Sequence, residues 1–273
     1  MSNIEYLPGI KAGDKIDLSK FEKPKKDPSF ESYLPLLKEG LFKVAAENNR
    51  DFANFLDNDG RITLEGKDAV GDKSLVAAQE EGFSRGMGKN LETWRRDSEK
   101  NPANITEMAL TIMLHKFLKE NFIVARASCY DDYNNGVDQV LVYKLTGEVV
   151  CGFDEVLGHD GDDGGQKKEA KLNRMREKGG ARVQYGAKME SGKLVRAEVK
   201  NIPAFFMSLS KVELRELLES LKNNPKETSA VEERIFQKLL GSLEDQAANS
   251  QMNNDLRAKT QSALERLRTA VVS

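Results

Sequence analysis

An α/β fold is predicted: a small mixed β-sheet core (αβββαβ-like), flanked by helices, with an N-terminal helical region and a C-terminal helical hairpin. Three observations predict it. Short apolar runs suited to strands cluster between residues 122 and 209. Helical periodicity of apolar residues dominates on either side of them. Two of the runs, Val137 to Tyr143 and Glu148 to Leu157, are almost continuously apolar, as strands covered on both faces should be. A chain of 273 residues suits one large domain, or a core domain with helical additions.

Residues 1–34 read as an extended arm, because Lys23-Pro24-Lys25-Lys26-Asp27-Pro28 can build no core. Residues 35–100 read as an N-terminal helical region. Leu36, Leu37, Leu41, Val44, Ala45, Phe52, Phe55 and Leu56 fit helical faces, and Asp57-Asn58-Asp59-Gly60 is expected to end that helix before a short strand or turn at Arg61 to Leu64. A second helix is expected from about Ser74 to Arg96, weakened by Gly82, Gly86 and Gly88.

The core is expected over residues 101–209. Asn104-Ile105-Thr106-Glu107 has the form of a capping box and opens a largely buried helix to about Glu120. Strands follow at Phe122 to Ala127, Val137 to Tyr143 and Glu148 to Leu157, the last two joined by the tight Lys144 to Gly147 connection. A Gly/Asp loop, Gly158 to Gly165, precedes a basic helix from Lys167 to Lys178, which Gly179-Gly180 stops. Ala181 to Met189 and Lys193 to Val199 flank Ser191-Gly192 as a second hairpin, and Pro203 to Leu209 is a further strand. The remainder, 210–273, is helical: Ser210 and Glu213 cap a helix to about Lys222, then come Ser229 to Ala248 and Asp255 to Val272. The apolar stripe of these last two suits packing on the core or on a second copy, so a homodimer through the C-terminal helices is one expectation.

The net charge of -2 argues against a uniformly basic nucleic-acid binder. The two cysteines, Cys129 and Cys151, lie in or beside apolar runs and form no disulfide framework, which suits a reducing cytoplasm. No basic-then-apolar leader pattern opens the chain, and no run approaches about 18 apolar residues, so neither export nor a membrane partner is expected. His115 and His159 with two distant cysteines make no zinc site. Asp57 to Ile62 fails as a calcium loop, because the first and last ligand positions would be Phe55 and Gly66.

Function is concentrated between Tyr130 and Val156. Asp131, Asp132, Asp138, Asp154 and Glu155 sit at or inside segments that otherwise want to be buried strands. Asp and Glu are poor strand formers and are seldom buried unless paired or metal-bound. A divalent cation would offset their desolvation. From 129 to 165, nine acidic residues face Lys144 alone, a net charge of -8, whereas 167 to 200 carries a net +7. Acids that hold a cation beside bases that hold a polyanion are what a metal-dependent phosphodiester site requires.

Gly136-Val137-Asp138 opens one strand, and Asp154 follows 16 positions later on the next. With the helix-strand-strand-strand-helix-strand order from Asn104 to about Met189, this resembles the core of the PD-(D/E)XK, or restriction-endonuclease-like, nuclease superfamily. The resemblance implies a nuclease using Mg2+ or Mn2+ on nucleic acid, with Asp138 as first metal ligand, Asp154 or Glu155 as second, and Glu107 as the helix acid. It also implies a lysine two residues after the second acid, where this chain has Val156 or Leu157. Some members carry that lysine on the following helix, which leaves Lys167, Lys168 or Lys171 for the role. Arg174, Arg176, Lys178 and Arg182, with Lys171, are expected to contact phosphates. The same segment resembles proteins of small-genome bacteria sharing the Tyr-Asp-Asp…Asn-Gly-Val-Asp…Phe-Asp-Glu-Val pattern, a likeness that implies no activity.

Structural readings stand beside these. Glu107 fits the capping box, Asp131-Asp132 a turn before the strand, and Asp138 a turn exit. Asp154 and Glu155 point to opposite faces by strand parity, and a salt bridge to the basic helix would suit either. The loop acids Asp160, Asp162 and Asp163 suit a solvated loop. The competing function is a catalytically inactive nuclease fold that binds nucleic acid or protein.

Overall fold

A computed structural model describes residues 28–66, 69–158, 164–248 and 252–272, apart from the side chains of 164–169, 271 and 272. Most of the expected arm and the acidic loop after Gly158, with His159, therefore lie outside the described residues.

The centre is a four-stranded sheet of β1 (Phe122–Arg126), β2 (Gln139–Tyr143), β3 (Glu148–Gly158) and β6 (Ala204–Ser210), in that spatial order. The first three run antiparallel as a meander, and β6 lies parallel to β3. The α/β class with a small mixed sheet between helices is as the sequence predicts. One strand assignment differs. The hairpin β4 (Ala181–Glu190) and β5 (Lys193–Ile202) forms its own two-stranded sheet, and the strand completing the core is β6, not the run ending at Met189. The alternating pattern of β4 serves a second layer: Val183, Tyr185 and Ala187 pack on one face of the main sheet.

Side-chain alternation divides the sheet. Phe122 and Val124 of β1, Leu141 of β2, Cys151 and Phe153 of β3 and Phe205, Met207 and Leu209 of β6 face one core. Helix α4 (Pro102–Leu118) fills it together with α1 (Leu34–Asn49), α6 (Lys211–Asn223), α7 (Ala230–Ala248) and α8 (Asn254–Val272). Ile123, Ala125, Val140 and Val142 face the other core, against β4, Leu172 of α5 (Gly164–Glu177), and Phe52, Leu56 and Ile62. Ile235, Leu239, Leu243, Leu264 and Leu267 of the C-terminal helices are buried in the first core. The stripe that suggested a second copy thus packs on the chain's own sheet.

Local signals place most boundaries. Ser210 and Glu213 form the expected capping box on α6. The first helix ends at Asn49, seven residues earlier than expected, and the chain then turns through Ala53 and Asn54 at positive φ. The expected single helix over 74–96 is two: α2 (Ala69–Gly86) and α3 (Leu91–Glu99). Gly88 at φ +65 breaks them apart, and Asn90 caps the second by accepting from Thr93 N.

The outer strands of the main sheet are covered. On β1, Asn48 Nδ2 donates to Val124 O at 2.8 Å. Arg126 N donates to Gly60 O at 2.9 Å, and Ile62 N donates to Arg126 O at 3.0 Å. On β6, the Gln246 side chain accepts from Phe206 N at 3.0 Å and donates to Phe206 O at 2.8 Å. No described helix is long and apolar enough to cross a membrane.

Candidate functional site

The site gathers at one end of the sheet, where β1 passes to β2. That connection is a single π-helical turn, Asp131–Asn135, closed by Gly136 at φ +64. Asp131 is fully buried and organises it. Its carboxylate accepts from Ser128 Oγ at 2.7 Å, Asn135 Nδ2 at 2.7 Å, Gln184 N at 2.6 Å and Tyr185 N at 3.1 Å. Asp131 is thus a structural tie between the turn and β4, as the turn reading anticipated. Burial raises its pKa, against these hydrogen bonds.

Asp138 follows the turn. Its N–H donates to Phe153 O at 2.7 Å, and its Oδ2 accepts from Glu155 N at 2.8 Å. Register thereby sets Asp138 against the second half of β3. Asp154 and Glu155 face opposite sides there, as strand parity requires, yet both are buried. Asp154 Oδ2 accepts from Lys171 Nζ at 2.7 Å. Glu155 differs: its buried carboxyl accepts from no N–H and lies against the Asp138 carboxyl. Burial first, then the carboxylates of Asp138 and Glu107, pushes its pKa well above the ordinary range. Asp138 is raised in the same way, by burial and then by Glu107, Asp132 and Asp154. Burial also raises Asp132, with Arg61 opposing it.

Glu107 is not a capping residue. Helix α4 begins at Pro102, and Asn101 caps it by accepting from Ala103 N at 3.0 Å. Glu107 therefore lies on the second turn and turns toward the acids. Its Oε2 accepts from Arg126 Nη2 at 2.8 Å and Arg61 Nη2 at 3.3 Å. Arg61 Nη1 reaches Asp132 Oδ2 at 3.3 Å and Ala127 O at 3.1 Å. Asp57 Oδ1 shapes the loop that presents Arg61, accepting from Asp59 N and Arg61 N at 2.9 Å each.

Sequence reasoning missed Arg61 and Arg126. Arg61 is far from the acids in sequence, but Arg126, a charge inside the expected strand 122–127 and five residues before Asp131, was a local signal.

Glu107, Asp132, Arg61 and Arg126 form the floor of a cleft of 450 Å³. Trp94 and Arg95 of α3, Glu80 of α2, and Cys129 and Tyr133 of the turn complete its walls. Burial raises the Cys129 thiol pKa. Asp138 and Glu155 do not line the cleft.

The expected cationic residues separate. Lys171 crosses Gly136 to reach Asp154, and a β-carbon at Gly136 would collide with its Nζ. The side chains of Lys167 and Lys168 lie outside the described residues. Arg174 is exposed on α5 and Lys178 in the turn just after it. Arg182 pairs with Glu198. Arg176 is corrected: it is 4% exposed and donates to Ala204 O at 3.4 Å, so it does not present itself to a phosphate. It follows Leu172 by one turn and shares that residue's buried face.

Among the described residues, no three Asp, Glu, His or Cys side chains are converged into a set that could hold a metal ion as they stand. The donors present are nevertheless all carboxylate oxygens, which suit a hard divalent cation such as Mg2+ or Mn2+. The Glu155 carboxyl crowded against that of Asp138, with no N–H donor to either Glu155 oxygen, is the feature a cation would satisfy. Comparison with protein-family models, with curated proteins and with solved structures finds no match to this chain.

Proposed function

We propose that the protein is a metal-dependent nucleic-acid phosphodiesterase of PD-(D/E)XK-like type. One observation carries the reading: the buried Glu155 carboxyl accepts from no N–H and is crowded against the Asp138 carboxyl. Buried acids held side by side destabilise a fold, and a cation site is a functional reason to retain them. Asp138 and one of Asp154 or Glu155, which face opposite sides of β3, are the proposed metal ligands. A cation there would lower the pKa of an attacking water and offset charge developing on the phosphate.

Lys171 is the proposed replacement for the lysine missing two residues after the second acid. Its ammonium, 2.7 Å from Asp154, is held where it would orient a water or take part in its deprotonation. Gly136 keeps its path open. The meander β1–β2–β3 and the parallel pairing of β6 with β3 further support the reading, since they match the αβββαβ core that the resemblance implies once the β4–β5 hairpin inserted between α5 and β6 is set aside. Arg174, exposed on the helix that carries Lys171, and Lys178, exposed in the turn after it, are the proposed backbone-phosphate contacts.

A second reading, an inactive nuclease-like fold that binds nucleic acid or protein, is favoured by one observation. Glu107 and Asp132 are already paired with Arg61 and Arg126. Cleavage of labelled single- and double-stranded DNA and RNA with Mn2+, comparing wild type with Asp138→Ala, separates the two. Cleavage lost in a variant whose circular dichroism matches wild type supports the enzyme. Absence of cleavage of every substrate by folded wild-type protein moves the assignment to the binding module.

A further inference from the structure

A second hollow lies toward the other end of β3 from the acids. It has a volume of 180 Å³ and is walled by α8, the end of β5 and the start of β3. Val149 in its wall precedes Asp154 by five residues, roughly 17 Å along the strand. Helix α8 contributes Lys259, Ser262, Ala263 and Arg266. That spacing, i, i+3, i+4 and i+7, is a single helical face. The two small residues in the middle leave room, and a cation stands at each end. Lys200 of β5 adds a third cation, and Glu148 is the one acid among the described lining residues. The hollow therefore carries a net +2 in a chain whose net charge is -2. Val149, Val150, Ile202 and Pro203 give it an apolar side.

The cations of α8 are held loosely. Lys259 Nζ pairs with Asp255 Oδ2 at 3.0 Å and donates to Asn201 O at 3.4 Å, a long bond. Arg266 Nη1 donates to Glu148 Oε2 at 3.1 Å. The Asp255 and Glu148 side chains are 69% and 55% exposed, so water screens both pairs and they hold weakly. The Arg266 guanidinium carbon lies 4.8 Å from the Tyr143 ring centre, which braces the fork and leaves it donors to spare.

We propose that this hollow binds a small phosphomonoester, with its phosphoryl group on the lysine and arginine donors and its body on the apolar side. A phosphoryl group carries about -1.5 to -2 charge at neutral pH, which answers the net +2 better than a single carboxylate does. Guanidinium and ammonium donors together are the usual means of holding one. At 180 Å³ the hollow is smaller than the roughly 300–1,000 Å³ of drug-sized sites, so its occupant is compact. The proposal stands whether or not the acids farther along β3 hold a metal.

The test is titration of phenyl phosphate, inorganic phosphate and benzoate into the full chain, followed by calorimetry and by amide NMR shifts. Three variants are compared with wild type, each established as folded by circular dichroism. Arg266→Met removes a lining charge, Ser262→Leu fills the hollow with no change of charge, and Lys43→Met removes an exposed charge on α1, outside the hollow. Phenyl phosphate should bind wild type and Lys43→Met alike, about tenfold more weakly to Arg266→Met, and not measurably to Ser262→Leu. Inorganic phosphate and benzoate should both bind wild type more weakly than phenyl phosphate. No binding of phenyl phosphate by wild type at about 10 mM overturns the proposal. So does equal weakening by Lys43→Met and Arg266→Met, which would make the attraction one of overall charge, and so does wild-type affinity in Ser262→Leu. Inorganic phosphate or benzoate binding as tightly as phenyl phosphate overturns the phosphomonoester assignment. Should Ser262→Leu fail to fold, the wild-type shifts decide: changes centred on 199–203 and 259–266 support the site, and changes centred elsewhere overturn it.

Discussion

Replacing Glu155 by methionine removes a buried carboxyl that accepts from no N–H and is crowded against Asp138, while nearly preserving side-chain volume. If the acid is retained for function, the variant should be the more stable protein in the absence of metal. A buried polar group left unsatisfied costs about 1–3 kcal/mol. At about 2 °C per kcal/mol for a chain of this size, Tm should rise by about 2–6 °C in EDTA. The gain should depend on pH. The folded-state pKa of Glu155 is raised, so between its unfolded and folded values the folded protein binds more protons than the unfolded one. Wild-type stability therefore falls as pH rises through that window, and the variant loses this contribution to the fall. The Tm gain should be larger at pH 8 than at pH 5. Adding Mn2+ should reverse the order: at 100 times Kd a ligand of the native state adds about 2.7 kcal/mol, and only wild type would receive it in full. Thermal melts followed by circular dichroism at both pH values, with EDTA and with Mn2+, supply all of these readings. A variant less stable than wild type in EDTA, or a gain that shrinks as pH rises, would refute the reasoning and make Glu155 a satisfied structural residue.

Asp131→Ala should act in the opposite direction. It orphans the buried N–H groups of Gln184 and Tyr185, at a cost of about 2–5 kcal/mol, and should lower Tm by about 4–10 °C with or without metal. Gly136→Ala places a side chain at φ +64, where an L-residue costs about 1–2 kcal/mol, and its β-carbon displaces Lys171. Its Tm should fall by about 2–4 °C. In the cleavage assay it should lose as much activity as Lys171→Met, and wild-type activity in the alanine variant would remove Lys171 from the proposed chemistry.

The elements legible in the sequence are those whose signals are local. Thr146-Gly147 and Ser191-Gly192 marked both hairpins, and Ser210 with Glu213 marked the start of α6. The two acids on facing strands were legible as acids inside apolar runs, but their register was not: the pairing shifts by one between Leu141 and Val142, which sets Gln139 against Phe153. What escaped was set by distant partners. Nothing near Glu107 tells that Arg61, 46 residues before it, and Arg126, 19 residues after it, share its carboxylate. The Asn104-to-Glu107 spacing instead suggested a cap, whereas Asn101 with Pro102 supplied a better one three residues earlier. The departure of the second hairpin from the main sheet was equally hidden, since alternation in β4 reads the same in either sheet. Arg176 was legible after all: the helical period from Leu172 puts it on the buried face.

The two covered margins of the main sheet restrict how this molecule meets others. A bare outer strand invites an incoming strand, whether from a second copy, an extended peptide or a growing fibril. Here the Gln246 amide occupies the Phe206 backbone groups on one margin, and Asn48 with the Gly60–Ile62 segment occupies β1 on the other. The amide of Gln246 thus pairs both backbone groups of Phe206, as one residue of an added strand would. Recruitment by strand addition is closed at these positions. A visitor to the main sheet has to be recognised through side-chain surfaces, and Gln246→Leu is the smallest change that would reopen a polymerising edge.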